Sequence, residues 1–228
     1  MLFRSSYFGE PDRFGGRLKV DLGAFNLRRD DGTETRRANI AVEWSRRFVG
    51  ALGDLWKIAI HGDAATYSAA RFGEQPNFAP VNSVSRTQAL PQISLGARWP
   101  FYRDSGEWGS QLIEPMVEIV AAPRMGDSQV RKIPNEDSFD FEFSDQNLFG
   151  FNRFPGIDRL EGGTRLNAAL HGAWYLGGTA FDGLVGQSYR TFKDSLFPAA
   201  SGLHDQVSDV VLRGTFSTSP LVDITYRT

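Results

Sequence analysis

The 228-residue chain contains no cysteine, so it can form neither a disulfide framework nor a thiolate metal site. Neither sign of charge is in excess: 25 lysines and arginines against 27 aspartates and glutamates leave a net charge of −2, which implies no general affinity for nucleic acid. No window approaches 18 continuous apolar residues, so no membrane-spanning helix is expected. The N-terminal stretch MLFRSSYFGEPDRFGG lacks the apolar core of a secretory signal. None of this speaks against a transmembrane β-barrel, whose alternating strands each give a weak hydropathy signal. What the chain does have is 24 glycines and 13% aromatic residues, a mixture that suits tightly turned β-structure.

Strand-like alternation runs along most of the chain. In Leu18–Leu27, Leu18, Val20, Leu22 and Ala24 oppose Lys19, Asp21 and Gly23, and Asp31-Gly32 then signals a hairpin. Next, Ala38, Ile40, Val42, Trp44 and Phe48 oppose Arg37, Asn39, Glu43, Ser45 and Arg47, with Arg46 on the apolar side near the strand end. Leu55–Tyr67, Leu90–Trp99 and Gln111–Ala122 continue the pattern, and the last of these contains Pro115, which predicts a bulge or an unpaired position. Arg71–Gln88, with Pro76 and Pro80, reads as a loop, and RDSGEW after Tyr102 as a turn. Thr164–Tyr175, the turn Gly177-Gly178, Thr179–Thr191, a loop, and a last hairpin across Thr218, Ser219 and Pro220 complete the chain. The expectation is an all-β, antiparallel, curved open sheet of about nine to ten strands.

One segment breaks this rhythm. Residues 133–163, from Ile133 to Gly163, are too long and too aperiodic for a single element. Phe139, Phe141, Phe143, Leu148, Phe149, Phe151 and Phe154 make it too apolar for a disordered linker. It should pack against the flanking strands.

Strands of about ten residues exceed the usual soluble length of about 5–6 and match the about 9–11 needed to cross a bilayer at a tilt. Aromatics near strand ends (Trp44, Phe48, Trp56, Tyr67, Trp99, Phe101, Tyr102, Trp174, Tyr175, Tyr189) fit an interfacial girdle. Glu43, Arg47, Lys57, Asp63, Arg98, Glu114, Glu118 and Arg165 are candidate lumen-facing charges, tolerated by water but not by a dry core. The pattern alone also admits a general porin or channel, or a soluble exported β-sandwich that binds ligands, with its charges in solvent.

The central segment carries a more specific signal. Pro123 follows a strand, and Ile133-Pro134-Asn135-Glu136-Asp137-Ser138, the pair Leu148-Phe149 and the run Asn152-Arg153-Phe154-Pro155-Gly156-Ile157-Asp158-Arg159 come after it. This order resembles the barrel domain of the LPS-assembly protein family (LptD, also called Imp or OstA). The motif residues are Pro134, Asn135, Asp137, Ser138, Leu148, Phe149, Asn152, Arg153, Phe154, Gly156, Asp158 and Arg159. The resemblance implies part of an outer-membrane translocon in a Gram-negative cell, delivering lipopolysaccharide to the outer leaflet without covalent chemistry. It also implies a plug lipoprotein of the LptE kind inside the barrel. A periplasmic bridge protein would be reached through an N-terminal jellyroll domain. On this reading residues 1–228 are a section of a larger transmembrane barrel, with further strands on both sides.

Enzyme and cofactor readings find little support. The acidic run Glu136, Asp137, Asp140, Glu142 and Asp145 lacks calcium-loop spacing, so no metal site is expected. His61, His171 and His204 are isolated, and Ser201, His204 and Asp205 are adjacent in sequence without triad geometry being implied. Gly162-Gly163-Thr164 lacks the lysine of a phosphate loop. Arg153 and Arg159 are expected to pair with carboxylates within the segment, such as Asp158, rather than with lipid phosphates.

Overall fold

The computed structural model describes residues 2–71, 83–126, 132–139, 141–219 and 221–228. Its strands are β1 (Leu2–Phe8), β2 (Arg17–Leu27), β3 (Glu34–Val49), β4 (Leu55–Ala70), β5 (Ser83–Arg98), β6 (Phe101–Asp104), β7 (Ser110–Ala121), β8 (Arg165–Leu176), β9 (Thr179–Arg190), β10 (Val211–Ser219) and β11 (Val222–Arg227). They form one antiparallel sheet in chain order, with β6 an offshoot on β7 and with β1 and β11 as its edges. The all-β, open-sheet expectation holds. A β-sandwich would need a second sheet, and the described residues form only one.

Two strands exceed the sequence count. Leu2–Phe8 has apolar residues on both faces and so shows no clean alternation, yet it pairs along its whole length with β2. Phe101–Asp104 is short and follows Pro100, but it pairs with Ser110–Ile113. β5 also begins earlier than expected, since Ser83–Gln88 pair with β4 although they read as loop. Pro76, Pro80 and Pro220 lie outside the described residues. Pro115 does mark an irregularity: the β5–β7 ladder ends at Arg98↔Met116, and β6 takes over only at Phe101↔Ile113. The missing N–H of Pro115 falls in that gap, where its carbonyl accepts from the Trp99 N–H at 3.0 Å. Gly177 and Gly178 sit at φ 54° and 87°, closing the two-residue hairpin expected between β8 and β9.

The connections differ between the two ends of the sheet. At one end they are short: residues 50–54 between β3 and β4, and 177–178 between β8 and β9. At the other they are long, above all residues 122–164 between β7 and β8 and 191–210 between β9 and β10.

The two faces differ as strongly. Register sets Ile40, Ile60, Ile93 and Ile119 on one face, where they are 39%, 54%, 51% and 53% exposed. No layer of the described chain covers them. At the short-turn end this face carries Phe48 stacked on Trp56 (6.4 Å between centroids) and Trp99 edge-on to Trp56 (6.1 Å). Arg46 stays on this face with its guanidinium 5.7 Å from the Phe48 ring, a cation–π contact in place of a buried charge. Three of the aromatics assigned to a girdle belong to the other face. Tyr67 is buried there, and register places Tyr102 and Tyr175 on the same side.

That second face carries the insert, and the core lies between the two. Leu148 is fully buried against β9, its Cδ2 occupying the space a Gly186 side chain would need. Phe154 stacks on Phe197 at 4.2 Å, with Phe141 edge-on at 5.0 Å from Phe197, so the insert also packs against the β9–β10 connection. Phe139 does not join this cluster and is 66% exposed. Replacing Phe197 with Ala should cost about 3–5 kcal/mol of unfolding free energy in the full-length protein. The exposed Phe192 replaced with Ala is the control, with a change within about 0.5 kcal/mol.

Candidate functional site

The insert is held by two buried charge centres, both on the second face. The first lies over β2–β5. Glu136 receives two hydrogen bonds from Arg29 (3.1 and 2.6 Å) and one from the Thr35 hydroxyl (2.8 Å). Arg37 on β3 donates to Asp137 at 2.7 Å and also to Asp158. Asp137 further accepts from the backbone N–H groups of Ile157 and Asp158, both at 3.1 Å, and from the Ser138 hydroxyl at 3.0 Å. A Cβ at Gly156 would collide with that carboxylate, which explains the glycine in the motif. Burial, with Asp137 beside it, pushes the Asp158 carboxyl up. Burial alone would raise Asp137 too, but Arg37 holds it low. On the neighbouring strands the Tyr67 hydroxyl and the Gln88 amide donate to the Ile157 carbonyl at 3.0 and 3.1 Å.

The second centre is Glu161, fully buried under β8 and β9. Arg153 binds it through Nε at 2.7 Å and through Nη2, Arg190 approaches at 3.2 Å and Arg165 at 3.7 Å. Burial would push the Glu161 carboxyl up, yet three guanidiniums override this and hold it at about 2. Arg165 also donates to the Gly150 and Phe151 carbonyls at 2.7 and 2.9 Å. Asn152 knits the motif together, donating to the Gly156 and Arg159 carbonyls and accepting from the Glu161 N–H. Asn135 closes a local turn, its oxygen accepting from the Ser138 N–H at 3.1 Å, and Pro134 beside it is buried.

The intraloop pairing expected for Arg153 holds, with Glu161 as its carboxylate; the one expected for Arg159 does not. Asp158 pairs with Arg37 from the sheet. Arg159 binds the Asp158 and Ile133 carbonyls at 2.9 and 3.1 Å. A guanidinium flanked by carbonyls satisfies its fork without a carboxylate. Sequence reasoning does not single out Glu161 or Arg29, places Tyr67 in the girdle and Arg37 on a polar face, and gives Arg190 no pairing role. Their common signal is arginines near the long-loop strand ends matched by carboxylates in the insert.

The eight candidate lumen charges share the insert-bearing face by register. Two of them, Arg98 and Glu114, begin a chain of ion pairs that steps from strand to strand, and three more form pairs nearer β3. Arg98 binds Glu114 at 2.6 Å, Glu114 meets His171 at 3.3 Å, and His171 meets Asp182 at 2.6 Å. Asp182 binds Arg213, Arg213 reaches Asp145 of the insert at 3.3 Å, and Asp145 binds Arg227 at 2.9 Å. Towards β3, Glu43 lies 3.5 Å from Lys57, and Asp63 meets His61 at 2.8 Å. Phe151 stacks on that His61 at 4.7 Å. Glu118 accepts from Asn167 at 3.3 Å, and Arg165 belongs to the Glu161 centre.

Ser201, His204 and Asp205 turn to separate partners: the Leu203 N–H, the Phe197 carbonyl and Lys193. Asp140 of the acidic run lies outside the described residues. Among the described residues no group of three or more His, Asp or Glu side chains is placed to hold a metal. What the described residues present is a charged, largely self-compensated surface beneath the insert.

Replacing Glu161 with Gln strands three buried guanidiniums and should cost about 3–5 kcal/mol, read as a lower urea midpoint of the full-length protein. An unchanged midpoint would contradict the assignment. Because the folded carboxyl sits at about 2 against an ordinary 4.5, its contribution is complete above pH 4.5 and is lost as pH falls toward 2.

A search of curated proteins finds no match to the chain. A family model described as LPS transport system D matches residues 2–228, so the strands, the insert and both charge centres all lie within the match. The chain belongs to the LPS transport system D family, whose role is the transport of lipopolysaccharide to the outer membrane.

Proposed function

We propose that this chain is a section of the wall of an outer-membrane barrel, with lipid against its isoleucine-rich face and the path of lipopolysaccharide along the insert-bearing face. The observation that carries this reading is the asymmetry of a single sheet. One face is apolar and uncovered, while the other is charged and partly filled by the chain's own insert. Lipid can satisfy the first face, and a hydrated lumen the second. The unpaired edges of β1 and β11 would continue into further strands, because an open edge is a template for pairing and barrels remove it by closure.

Loop length supports an orientation. Outer-membrane barrels carry short turns on the periplasmic side and long loops outside. The insert then enters the lumen from the outer end and hangs from the two charge centres. It serves as a fixed strut that narrows the lumen and leaves the ion-pair chain below it to line a wet passage. Paired charges suit such a passage, since each is already compensated and a passing sugar phosphate meets few free cations. The partners on this reading are lipopolysaccharide, a plug lipoprotein of the LptE kind, and a periplasmic bridge protein reached through an N-terminal domain.

Two outcomes test the proposal. In full-length protein in bilayers, Ile40→Arg should cost about 2–4 kcal/mol, while Glu43→Gln should cost under about 1 kcal/mol. Equal small effects would contradict the lipid assignment. Cells whose sole full-length copy lacks residues 135–158 should lose surface lipopolysaccharide and become sensitive to detergent. Unchanged surface lipopolysaccharide and resistance would overturn the role of the insert.

A further inference from the structure

A cleft of about 410 Å3 opens at the short-turn end of the insert-bearing face, between the sheet and Phe149. This volume is in the range of small-molecule sites. Its floor is two neighbouring rows of the sheet. In one, register aligns Arg47, Lys57, Gly96 and Glu118; in the other, Val49, Leu55, Arg98 and Met116. The cleft therefore joins three cations to an apolar patch, with one carboxylate in the lining.

The cations are unequally engaged. Arg98 is bound by Glu114 at 2.6 Å, and Lys57 has Glu43 at 3.5 Å and the Phe151 ring face at 5.9 Å. Arg47 is exposed and has no partner among the described residues, in contrast to the paired arginines beneath the rest of the insert. Directly opposed residues on paired strands stand about 5 Å apart at Cβ, so Arg47 and Lys57 can reach one anion together.

Gly96 supplies the second argument. A Cβ there would meet nothing nearer than the Val117 carbonyl oxygen at 3.6 Å, an ordinary contact. Its φ is not in the left-handed region, so neither close packing nor backbone conformation calls for glycine. What the missing side chain does is keep the floor open between Lys57 and Glu118. The sheet has the opposite case at Gly186, where Leu148 fills the space completely.

We propose that this cleft binds a phosphate monoester carried on an amphiphilic glycolipid. Arg47 and Lys57 take the phosphate oxygens, and Val49, Leu55, Met116 and Phe149 cover adjoining apolar atoms. A free guanidinium matches phosphate in geometry and charge, and a bare sugar would give these cations nothing to neutralise. The inference rests on the transport reading and deepens it: the cleft is a holding site at the periplasmic end of the passage, ahead of the compensated ion-pair chain.

The test places a benzophenone amino acid at Leu55 of the full-length protein with its partners in proteoliposomes. It is irradiated during transport of purified lipopolysaccharide, either native or phosphatase-treated. Native lipopolysaccharide should cross-link, with yield falling at least about tenfold in Arg47→Glu, the loss expected for one charge-assisted hydrogen bond, and further after phosphatase treatment, which removes the contacts of both cations. Arg47→Lys should restore most of the yield. Gly96→Leu should block the cleft, while Gly96→Ala keeps it. Cross-linking that ignores the phosphate, or persists in Arg47→Glu, overturns the site. Suppression by inorganic phosphate at low millimolar concentration would show a free-phosphate site and overturn the glycolipid assignment. Transport without any cross-link in the parent protein also overturns the cleft, yet leaves the transport reading standing. Failure of the parent protein to move lipopolysaccharide at all would strike the transport reading itself.

Discussion

A sheet one layer thick has no interior of its own. Each strand turns alternate side chains to opposite sides, so each side must find its own surroundings. In this chain the two sides ask for incompatible ones. Isoleucines, leucines and tryptophans lie uncovered on one, and arginines, carboxylates and histidines line the other. The rest follows from satisfying both at once: the long strands, the single sheet of the described residues, the aromatic cluster at the short-turn end and the folding of a long connection back onto the charged side.

That connection does more than occupy space. Its carboxylates are set against arginines of the wall, Glu136 and Asp158 with Arg29 and Arg37, and Glu161 with Arg165 and Arg190. Buried ion pairs add little net stability, because desolvation offsets most of the attraction. Their value here is positional. A wrong register or a displaced insert leaves unpaired charges away from water, which is far more costly than the correct pairing is favourable. The two centres sit on opposite flanks of the insert, over β2–β5 and over β8–β9, and tie the curvature of the sheet to one placement of the loop.

Much of this was legible in the chain. Alternation in Ala38–Phe48 separates the two faces correctly, because period 2 is a local property and each residue reports its own side. The packed insert was legible from phenylalanine content and from the lack of any period. Leu2–Phe8 escaped because an edge strand with apolar residues on both sides has no period to read. Tyr67 escaped for a different reason. Near a strand end it resembles an interfacial aromatic, and only contact with Ile157, ninety positions later, reveals it as buried. The partner of Asp158 was hidden in the same way. Proximity in sequence favours local pairing, whereas the fold offers Asp158 a strand arginine from over a hundred residues away.

The most direct test of the two-sided wall uses the lack of cysteine in the chain. Single cysteines at positions 40, 60, 93 and 119 on one face, and at 43, 47 and 57 on the other, can carry nitroxide labels in full-length protein in bilayers. The account predicts that labels at the isoleucine positions relax with oxygen and are shielded from a water-soluble nickel chelate, with the reverse at Glu43, Arg47 and Lys57. Equal access of the nickel chelate to both sets would contradict it.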